Sequence, residues 1–376
     1  MNQKTLGIVG GGQLGRMLVQ AAHKLKLKTI VLDPTPQSPA GQITDKQIIG
    51  NYTDKKSVRK IAKEVDYLTF EIEGANAQVL KELKTEGKQV QPLGETLEII
   101  QDKLLQKQML KKNNIPTPNF ATINTEEDIK TAIETFKYPI VLKTRMHGFD
   151  GRGNAVIHSQ ADIKKALQKL KGKKLYAEQF VNFKKELAIQ IAKDTKGNIK
   201  TYPVVETIQK NNICHKVIAP AQISPSVAKK ATVIARKVIK NLKGAGLFGI
   251  EMFLTGKDEI IINEIAPRVH NSGHYTIEAC KTSQFEQHVR AVCKLPLAST
   301  KMKVPAAVMI NILGERNAKA TPAGIEKAQK VNGVFVHIYG KGETKIERKM
   351  GHITALGKTI KEANQKAEAA RKAITI

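Results

Sequence analysis

Two neighbouring apolar segments each carry one glutamate inside their hydrophobic pattern, and this feature constrains the fold most strongly. Residues 247–254 contain Glu251, residues 260–265 contain Glu264, and the polar residues 255–259 between them predict a hairpin turn. Two antiparallel strands would therefore bring Glu251, Glu264 and Asn263 together. An unpaired buried carboxylate is costly, so we expect Glu264 to have a cationic partner. Such oxygen ligands suit Mg²⁺ shared with nucleotide phosphates; the alternative is that both glutamates are solvated on edge strands.

The segment directly after the second strand is dense in groups that bind anions or transfer protons. Residues 266–274 place Arg268, His270, Asn271 and His274 on one turn that proline and glycine interrupt. These side chains would therefore lie beside the two glutamates.

Residues 263–274, with the sequence NEIAPRVHNSGH, closely resemble the signature of the ATP-grasp carboxylases of purine biosynthesis, the N5-carboxyaminoimidazole ribonucleotide synthetases. The similarity extends over nearly the whole chain. It implies a mixed α/β and α+β ATP-grasp fold with an N-terminal, Rossmann-like pre-ATP-grasp domain at residues 1–106. The ATP-grasp domain would span residues 107–294, with a lid subdomain at about 120–182. A small β-rich region at 295–376 would complete the catalytic domain.

The N-terminus resembles the start of a mononucleotide-binding domain. A strand at residues 6–10, the G-x-G-x-x-G motif at 10–15, a helix at 16–27 and a strand at 28–32 form a βαβ pattern. Alone, this motif is weak evidence for NAD, for FAD or for a doubly wound domain without a dinucleotide. Asp33 could be a ribose ligand or a structural residue. The resemblance instead implies that Gln13, Leu14 and Glu73 bind the ribonucleotide substrate, although Glu73 could also be an exposed loop residue.

A glycine-rich segment follows a predicted strand at residues 139–143. This segment lacks the GK[ST] of a P-loop, which favours an ATP-grasp lid over a Walker ATPase, although a plain mobile hairpin is an alternative. Lys143 would supply a point charge to the nucleotide phosphates, and Lys103 stands where the family usually has arginine. Phe149 replaces a usual tyrosine. The residues expected to contact the nucleotide here are Gly148, Phe149, Asp150, Gly151, Arg152, Gly153 and Asn154.

The resemblance also implies which residues bind the adenosine of ATP and the phosphate of the ribonucleotide. Adenine would bind the backbone of a linker, and the ribose hydroxyls would bind Glu186, which could instead be a surface residue. Gln209 falls where many members carry histidine. Lys341 and Arg348 match phosphate contacts, although each alone could be surface charge. The linker residues are Glu178, Gln179, Phe180 and Val181.

Further helices and strands follow from periodicity. Helices are predicted over 97–112, 226–242 and 276–294, and strands over 305–313 and 334–339. Pro116 and Pro118 indicate a domain boundary.

The composition limits the partners and the cellular location that we expect for this chain. The net charge of +28 is spread over the chain, without an aromatic-interleaved basic motif, so we expect no nucleic-acid partner. No apolar run approaches the roughly 20 residues of a membrane span. Three cysteines without a CxxC pattern, and no visible leader, favour the cytoplasm. The resemblance implies a homodimer, and the end of the chain at Ile376 leads us to expect a separate mutase for the next step.

The implied reaction joins ATP, bicarbonate and 5-aminoimidazole ribonucleotide into N5-carboxyaminoimidazole ribonucleotide, ADP and phosphate. Mg²⁺, or Mn²⁺ in its place, would bind Glu251 and Glu264. The expected catalytic residues are Asp150, Arg152, Arg268, His270, Asn271 and Lys341. Alternatives are another ATP-grasp ligase, such as a formate-dependent glycinamide ribonucleotide transformylase or biotin carboxylase, and more distantly an NAD-dependent oxidoreductase.

Overall fold

The computed structural model describes residues 3–146, 148 and 153–376. Its N-terminal part is a five-stranded parallel sheet in the order β3-β2-β1-β4-β5. Strand β1 is central and fully apolar after its first residue, as expected for a strand covered on both faces. The elements of this part are β1 (Thr5–Val9), α1 (Gln13–Lys24), β2 (Lys28–Asp33), β3 (Lys46–Ile49), α2 (Lys55–Lys63), β4 (Tyr67–Phe70), α3 (Ala77–Thr85), β5 (Gln89–Val90), α4 (Gly94–Gln101) and α5 (Lys103–Lys112).

The second part is a four-stranded antiparallel sheet with two helices, and it lies in the range where the resemblance predicts a lid subdomain. Its strand order is β6-β9-β7-β8. The apolar residues of both helices pack on the sheet as one core cluster. The elements are β6 (Phe120–Ile123), α6 (Glu126–Phe136), β7 (Ile140–Thr144), β8 (Asn154–Ile157), α7 (Asp162–Lys169) and β9 (Leu175–Gln179).

The third part is a nine-stranded antiparallel sheet in the order β15-β14-β10-β12-β13-β16-β20-β18, with β11 beside β10. One face packs on α8, and the other packs on α10 and on α1 of the N-terminal part. The elements are β10 (Phe183–Lys193), β11 (Ile199–Thr201), β12 (Val205–Lys210), β13 (Ile213–Ala219), α8 (Pro225–Lys240), β14 (Gly246–Thr255), β15 (Ile260–Ala266), α9 (Thr276–Ala279), α10 (Gln284–Val292), β16 (Ala306–Leu313), β17 (Ala318–Lys319), α11 (Ile325–Gln329), β18 (Val334–Ile338), β19 (Glu343–Thr344), β20 (Lys349–Gly357) and α12 (Ile360–Ala373).

A buried histidine joins the parallel sheet to the large sheet. Nδ1 of His288 accepts a hydrogen bond from the backbone N–H of Leu247, at 3.1 Å. Its Nε2 therefore carries the proton and donates to Thr69 Oγ1 on β4, at 2.8 Å. Burial lowers the pKa of His288 to about 3, so the ring is neutral. The N-terminal domain is thus docked on the strand that carries Glu251.

Two helices that the sequence predicted to be continuous are each divided into two in the structure. The helix expected over 97–112 breaks at Asp102, whose backbone is extended and whose carboxylate accepts from the N–H groups of Leu104 and Leu105. Asp102 therefore starts α5 as an N-cap. The helix expected over 276–294 is divided between α9 and α10, because Cys280 forms a β-bridge with Met302 and Ser283 caps a new helix.

No helix in the described ranges is both long and apolar enough to cross a membrane.

Candidate active site

Glu251 and Glu264 face each other across β14 and β15, as the hairpin predicted. They are register partners, and the ladder is irregular directly after Glu251, where Met252 pairs with Ile262. Asn263 is therefore the extra residue of a β-bulge. Side chains alternate along a regular strand, but here Asn263 and Glu264 are both partly exposed, while Ile262 and Ile265 lie in the core under α8. The bulge thus presents two consecutive polar side chains to the same face.

The two carboxylates have opposite electrostatic environments. Burial, together with the charges of Glu264 and Glu186, raises the pKa of Glu251 to about 8. Burial would also raise the pKa of Glu264, but Lys103 Nζ lies 2.6 Å from its Oε2 and lowers that pKa overall. Lys103 is the cationic partner expected for Glu264.

A second buried ion-pair group links β7 and β9 to helix α5. Glu178 on β9 is 2% exposed, and its carboxylate contacts Lys143 Nζ at 2.6 Å and Lys107 Nζ at 3.1 Å. Tyr176 also donates to it, at 2.9 Å. Burial opposes ionisation of Glu178, but the two lysines lower its pKa to about 2. Lys143 is thus fixed on β7 by a buried carboxylate, and its contact with the nucleotide phosphates stays a prediction.

The base of the glycine-rich segment packs against Thr144 at the end of β7. An added Cβ on Gly153 would lie 2.8 Å from Gly148 Cα and would clash with the Thr144 hydroxyl, so glycine is required. Asn154 begins β8 and pairs with Lys143 in register. Phe149, Asp150, Gly151 and Arg152 lie outside the described residues, so their predicted roles stay predictions.

The linker after β9 adjoins a flat aromatic surface that sequence reasoning missed. Phe183 and Phe253 stack with ring centroids 4.6 Å apart, and Phe253 is the register partner of Glu186. Burial raises the pKa of Glu186, although a hydrogen bond from Gln209 opposes this. Gln209 therefore reaches the candidate ribose ligand. Gln179 ends β9, and the linker then runs through Phe180 and Val181.

The loop after β15 connects the carboxylate pair to the N-terminal domain. Arg268 Nη2 lies 2.8 Å from Glu73 Oε1. His270 Nε2 lies 3.7 Å from Glu251 Oε1. Burial, followed by the charges of Arg268 and Lys349, lowers the pKa of His270 to about 3, so its ring is neutral. Nδ1 lies 2.8 Å from Ser272 Oγ and accepts from the Ser272 backbone N–H at 3.4 Å, so we assign the ring proton to Nε2, the nitrogen that lies nearest Glu251.

The other two polar residues of this loop have structural partners. Asn271 exchanges two amide hydrogen bonds with Asn311 on β16, at 3.0 and 2.7 Å. His274 is fully buried and contacts Gln284. Asn271 and His274 therefore fasten the loop to neighbouring elements, while His270 contacts Glu251 and Arg268 contacts Glu73.

The glycine motif after β1 already binds the protein's own carboxylates. The Gly11 N–H donates to Asp33 at 2.8 Å, and the Gly12 N–H donates to Glu71 at 2.7 Å. These are the groups that would hold a dinucleotide diphosphate. Asp33 is thus structural, and the arrangement opposes dinucleotide binding. The helix predicted from residue 16 begins at Gln13, so Gln13 and Leu14 form its first turn.

Lys341 and Arg348 lie on the β18–β20 side of the site. Lys341 Nζ donates to the backbone carbonyl of Lys349 at 2.6 Å and lies 5.8 Å from the Tyr339 ring centroid. Arg348 donates to the carbonyl of Glu343 at 2.8 Å. The adjacent loop contacts the N-terminal domain, because Gln42 donates to the Gly340 carbonyl. Lys341 thus lies next to the residue that contacts the N-terminal domain, whereas the contact of Arg348 is within the C-terminal region.

The donors present fit a divalent cation. Two adjacent carboxylates and an amide are hard ligands. Burial, followed by the negative charges of Glu264 and Glu186, raises the pKa of Glu251, and a bound cation would offset both effects. Within the described ranges, no three His, Cys, Asp or Glu side chains form a metal-binding group by themselves. A cation here would therefore need further ligands, which nucleotide phosphates could supply.

Three known sequence families match consecutive parts of the chain. The ribonucleotide synthetase preATP-grasp domain matches residues 3–101, and the ATP-grasp domain matches residues 108–285. The phosphoribosylaminoimidazole carboxylase C-terminal domain matches residues 307–366. These matches confirm the predicted fold class.

Proteins that align with nearly the whole chain indicate the same family. Phosphoribosylaminoimidazole carboxylase of Candida glabrata is 43% identical over 378 residues, which cover 98% of this chain and 66% of that protein. The chain therefore spans slightly less than two thirds of that relative. The structure of N5-carboxyaminoimidazole ribonucleotide synthetase from Thermotoga maritima is 44% identical with a TM-score of 0.91, covering 99% of both chains. N5-carboxyaminoimidazole synthase from Aspergillus clavatus, solved in complex with ADP and 5-aminoimidazole ribonucleotide, is 39% identical with a TM-score of 0.91, covering 99% of this chain and 98% of that one. The chain belongs to the N5-carboxyaminoimidazole ribonucleotide synthetase family of ATP-grasp ligases.

Proposed function

We propose that this protein uses ATP and bicarbonate to carboxylate 5-aminoimidazole ribonucleotide, forming N5-carboxyaminoimidazole ribonucleotide, ADP and phosphate in purine biosynthesis. One observation carries the proposal: the Glu251–Glu264 pair lies on one face with Lys103, and the following loop reaches the N-terminal domain through the Arg268–Glu73 ion pair. A nucleotide-phosphate site and a second substrate site would thus share one loop.

Two lysines, one on β7 and one at the start of α5, would bind the ATP phosphates. Lys143 on the lid and Lys103 at the start of α5 are each held by a carboxylate, at 2.6 Å in both cases. The purine base would lie near the stacked rings of Phe183 and Phe253, with Glu186 toward the ribose.

Mg²⁺, with Mn²⁺ as an alternative, would bind Glu251 and Glu264, with Asn263 beside them. When bound, it would neutralise charge on the phosphates during phosphoryl transfer. Lys103 would keep Glu264 ionised, and this holds the carboxylate ready for the cation.

An oxygen of bicarbonate would attack the γ-phosphorus of ATP, and ADP would leave, giving carboxyphosphate. Arg268 would bind this anion through its guanidinium, and neutral His270 would donate through Nε2. Asn271, held by Asn311, would fix the loop. Carboxyphosphate would release CO₂ and phosphate. The exocyclic amine of the ribonucleotide would then attack CO₂ and lose one proton, for which Asp150 with Lys341 are the candidate acceptors, and Arg152 would face the same substrates.

The ribonucleotide would lie between the N-terminal domain and the C-terminal region. Gln13 and Leu14 are in the first turn of α1, and Glu73 follows β4. Lys341 follows Gly340, whose carbonyl accepts from Gln42 of the N-terminal domain, and Arg348 directly precedes β20. The phosphate would bind the two cations. The division at residues 106 and 294, the homodimer, the separate mutase and the cytoplasmic location remain proposals.

ADP release with Mg-ATP and bicarbonate, measured with and without 5-aminoimidazole ribonucleotide, tests the function. Strong stimulation by the ribonucleotide that requires bicarbonate is the expected result. Stimulation by formate with glycinamide ribonucleotide would instead indicate the transformylase, and turnover indifferent to every acceptor would overturn the proposal. The oxidoreductase alternative is disfavoured, because Asp33 and Glu71 occupy the glycine-motif N–H groups.

A further inference from the structure

Lys107 is a buried lysine that the proposed reaction does not use. It lies one turn after Lys103 on α5 and is 1% exposed. Its Nζ donates to the backbone carbonyls of Ile262 and Asn263, at 3.3 and 2.8 Å, and lies 3.1 Å from Glu178 Oε1. A buried ammonium group needs oxygen partners of this kind. Two of the three are backbone carbonyls of β15, the strand that carries Asn263 and Glu264.

The two carbonyls belong to the β-bulge. Strand β15 is at the edge of the large sheet, and a bulge leaves ladder groups unpaired. Helix α5 covers this edge: Gln106 accepts from the Ile265 N–H at 3.0 Å, and Lys107 satisfies the carbonyls at the bulge. The residues that turn Asn263 and Glu264 to one face are therefore fixed from behind by α5.

The same ammonium also contacts the lid. Glu178 lies on β9 and binds Lys143, the candidate phosphate ligand of β7. Among the described residues, this buried group has one carboxylate for two ammonium groups. Lys107 thus connects strand β9 to the bulge of β15, which carries the candidate metal ligands Asn263 and Glu264.

We propose that Lys107 is a positioning residue that sets the conformation of the bulge and thereby the affinity of the Glu251–Glu264 pair for a divalent cation. This inference rests on the proposed function, because it concerns the cation site of that reaction. Lys107 touches backbone carbonyls and Glu178, so it acts through Asn263 and Glu264.

Replacement of Lys107 by Met keeps most of the volume and leaves Glu178 paired with Lys143. We expect Mn²⁺ binding in the presence of ADP, followed by electron paramagnetic resonance, to weaken about 10–100-fold. Backbone amide exchange in residues 260–266 should increase. Lys107→Gln, whose amide can donate to one carbonyl, should show a smaller loss, and it carries the test if Lys107→Met does not fold. Lys112→Met, on the exposed end of the same helix, is the matched control.

Wild-type Mn²⁺ affinity in a folded Lys107→Met or Lys107→Gln protein would overturn the proposal. So would an equal loss in Lys112→Met. A merely structural role would lower the melting temperature without selectively weakening Mn²⁺. Because Mn²⁺ and ADP binding do not require turnover, the result stays distinct from a failure of the wild-type protein to respond to 5-aminoimidazole ribonucleotide.

Discussion

Glu251 and Glu264 are direct partners across β14 and β15, yet their pKa values shift in opposite directions. Lys103, 2.6 Å from Glu264, outweighs the effect of burial there, whereas burial and two neighbouring carboxylates dominate at Glu251. The metal-free pair therefore holds one carboxylate ionised and the other protonated near neutral pH. A divalent cation would require both to be ionised, so binding should release a proton.

Stability without metal should depend on Glu251. Its pKa is about 8 in the fold against an ordinary 4.5, so its contribution is complete below about pH 4.5 and is lost as pH rises through 8. We expect Glu251→Gln to remove about 1–2 kcal/mol of this alkaline loss, a discounted figure because the side chain is 27% exposed. Urea unfolding of both proteins from pH 5 to 9 measures it. Parallel stability curves for the two proteins would contradict the assignment.

Arg268 should govern the second half of the reaction. Arg268→Met removes the cation that links the loop after β15 to Glu73 and that would bind carboxyphosphate, so kcat/KM for 5-aminoimidazole ribonucleotide should fall on the order of 100-fold or more. ADP affinity should change little, since Lys103 and Lys143 remain. Arg290→Met, which breaks the ion pair with Glu286 on α10, is the control and should keep near-wild-type kinetics. Equal losses in both variants would refute a specific role.

His288 should make the stability of the fold sensitive to acid. Its pKa is about 3 in the fold, because of burial, against 6.5 when unfolded; its contribution is therefore present above pH 6.5 and is lost as pH falls toward 3. His288→Leu should cost about 2–4 kcal/mol at pH 7, because Thr69 and the Leu247 N–H lose a buried partner. It should also flatten the decline below pH 6.5. Denaturant unfolding at pH 5 and 7 measures both effects, and an unchanged acid slope would show that other groups dominate.

Gly153 should tolerate no side chain. Gly153→Ala places a methyl group against Gly148 and Thr144, so the glycine-rich segment must shift. We expect ADP release to fall about 10–100-fold, with a melting temperature within a few degrees of wild type. Gly256→Ala, in the β14–β15 turn where an added Cβ meets open space, is the control. Full activity of Gly153→Ala would show that this packing does not position the segment.

The sequence predicted the features that depend on local pattern. The hairpin brought Glu251 and Glu264 together because the turn and the apolar alternation both lie within a few residues. The bulge at Asn263 was missed because its hydrogen-bond partners are on α5 and in Pro116 and Thr117, far along the chain.

Long-range pairings account for the other differences. Lys107 resembles a surface lysine in a lysine-rich chain, and its burial depends on Glu178, 71 positions later. Asn271 was predicted to be catalytic, and that role stays a prediction; its hydrogen bonds with Asn311 could not be foreseen, because periodicity alone does not place the strand of Asn311 beside this loop. Asp102 interrupts an otherwise continuous helical pattern because its carboxylate binds Arg145 in the lid as well as capping α5.

The extra residue in β15 determines how many polar side chains the strand presents to one face. Ile262 and Ile265 both lie in the core, while Asn263 and Glu264 both face away from it. Deletion of Asn263 would leave Ile262, Glu264 and Ile265 in regular alternation, so Glu264 would still be the partner of Glu251, but the amide beside the two carboxylates would be lost. The bulge thus separates two properties of the strand: its register, which a chain without Asn263 could keep, and its second polar side chain on this face, which such a chain could not.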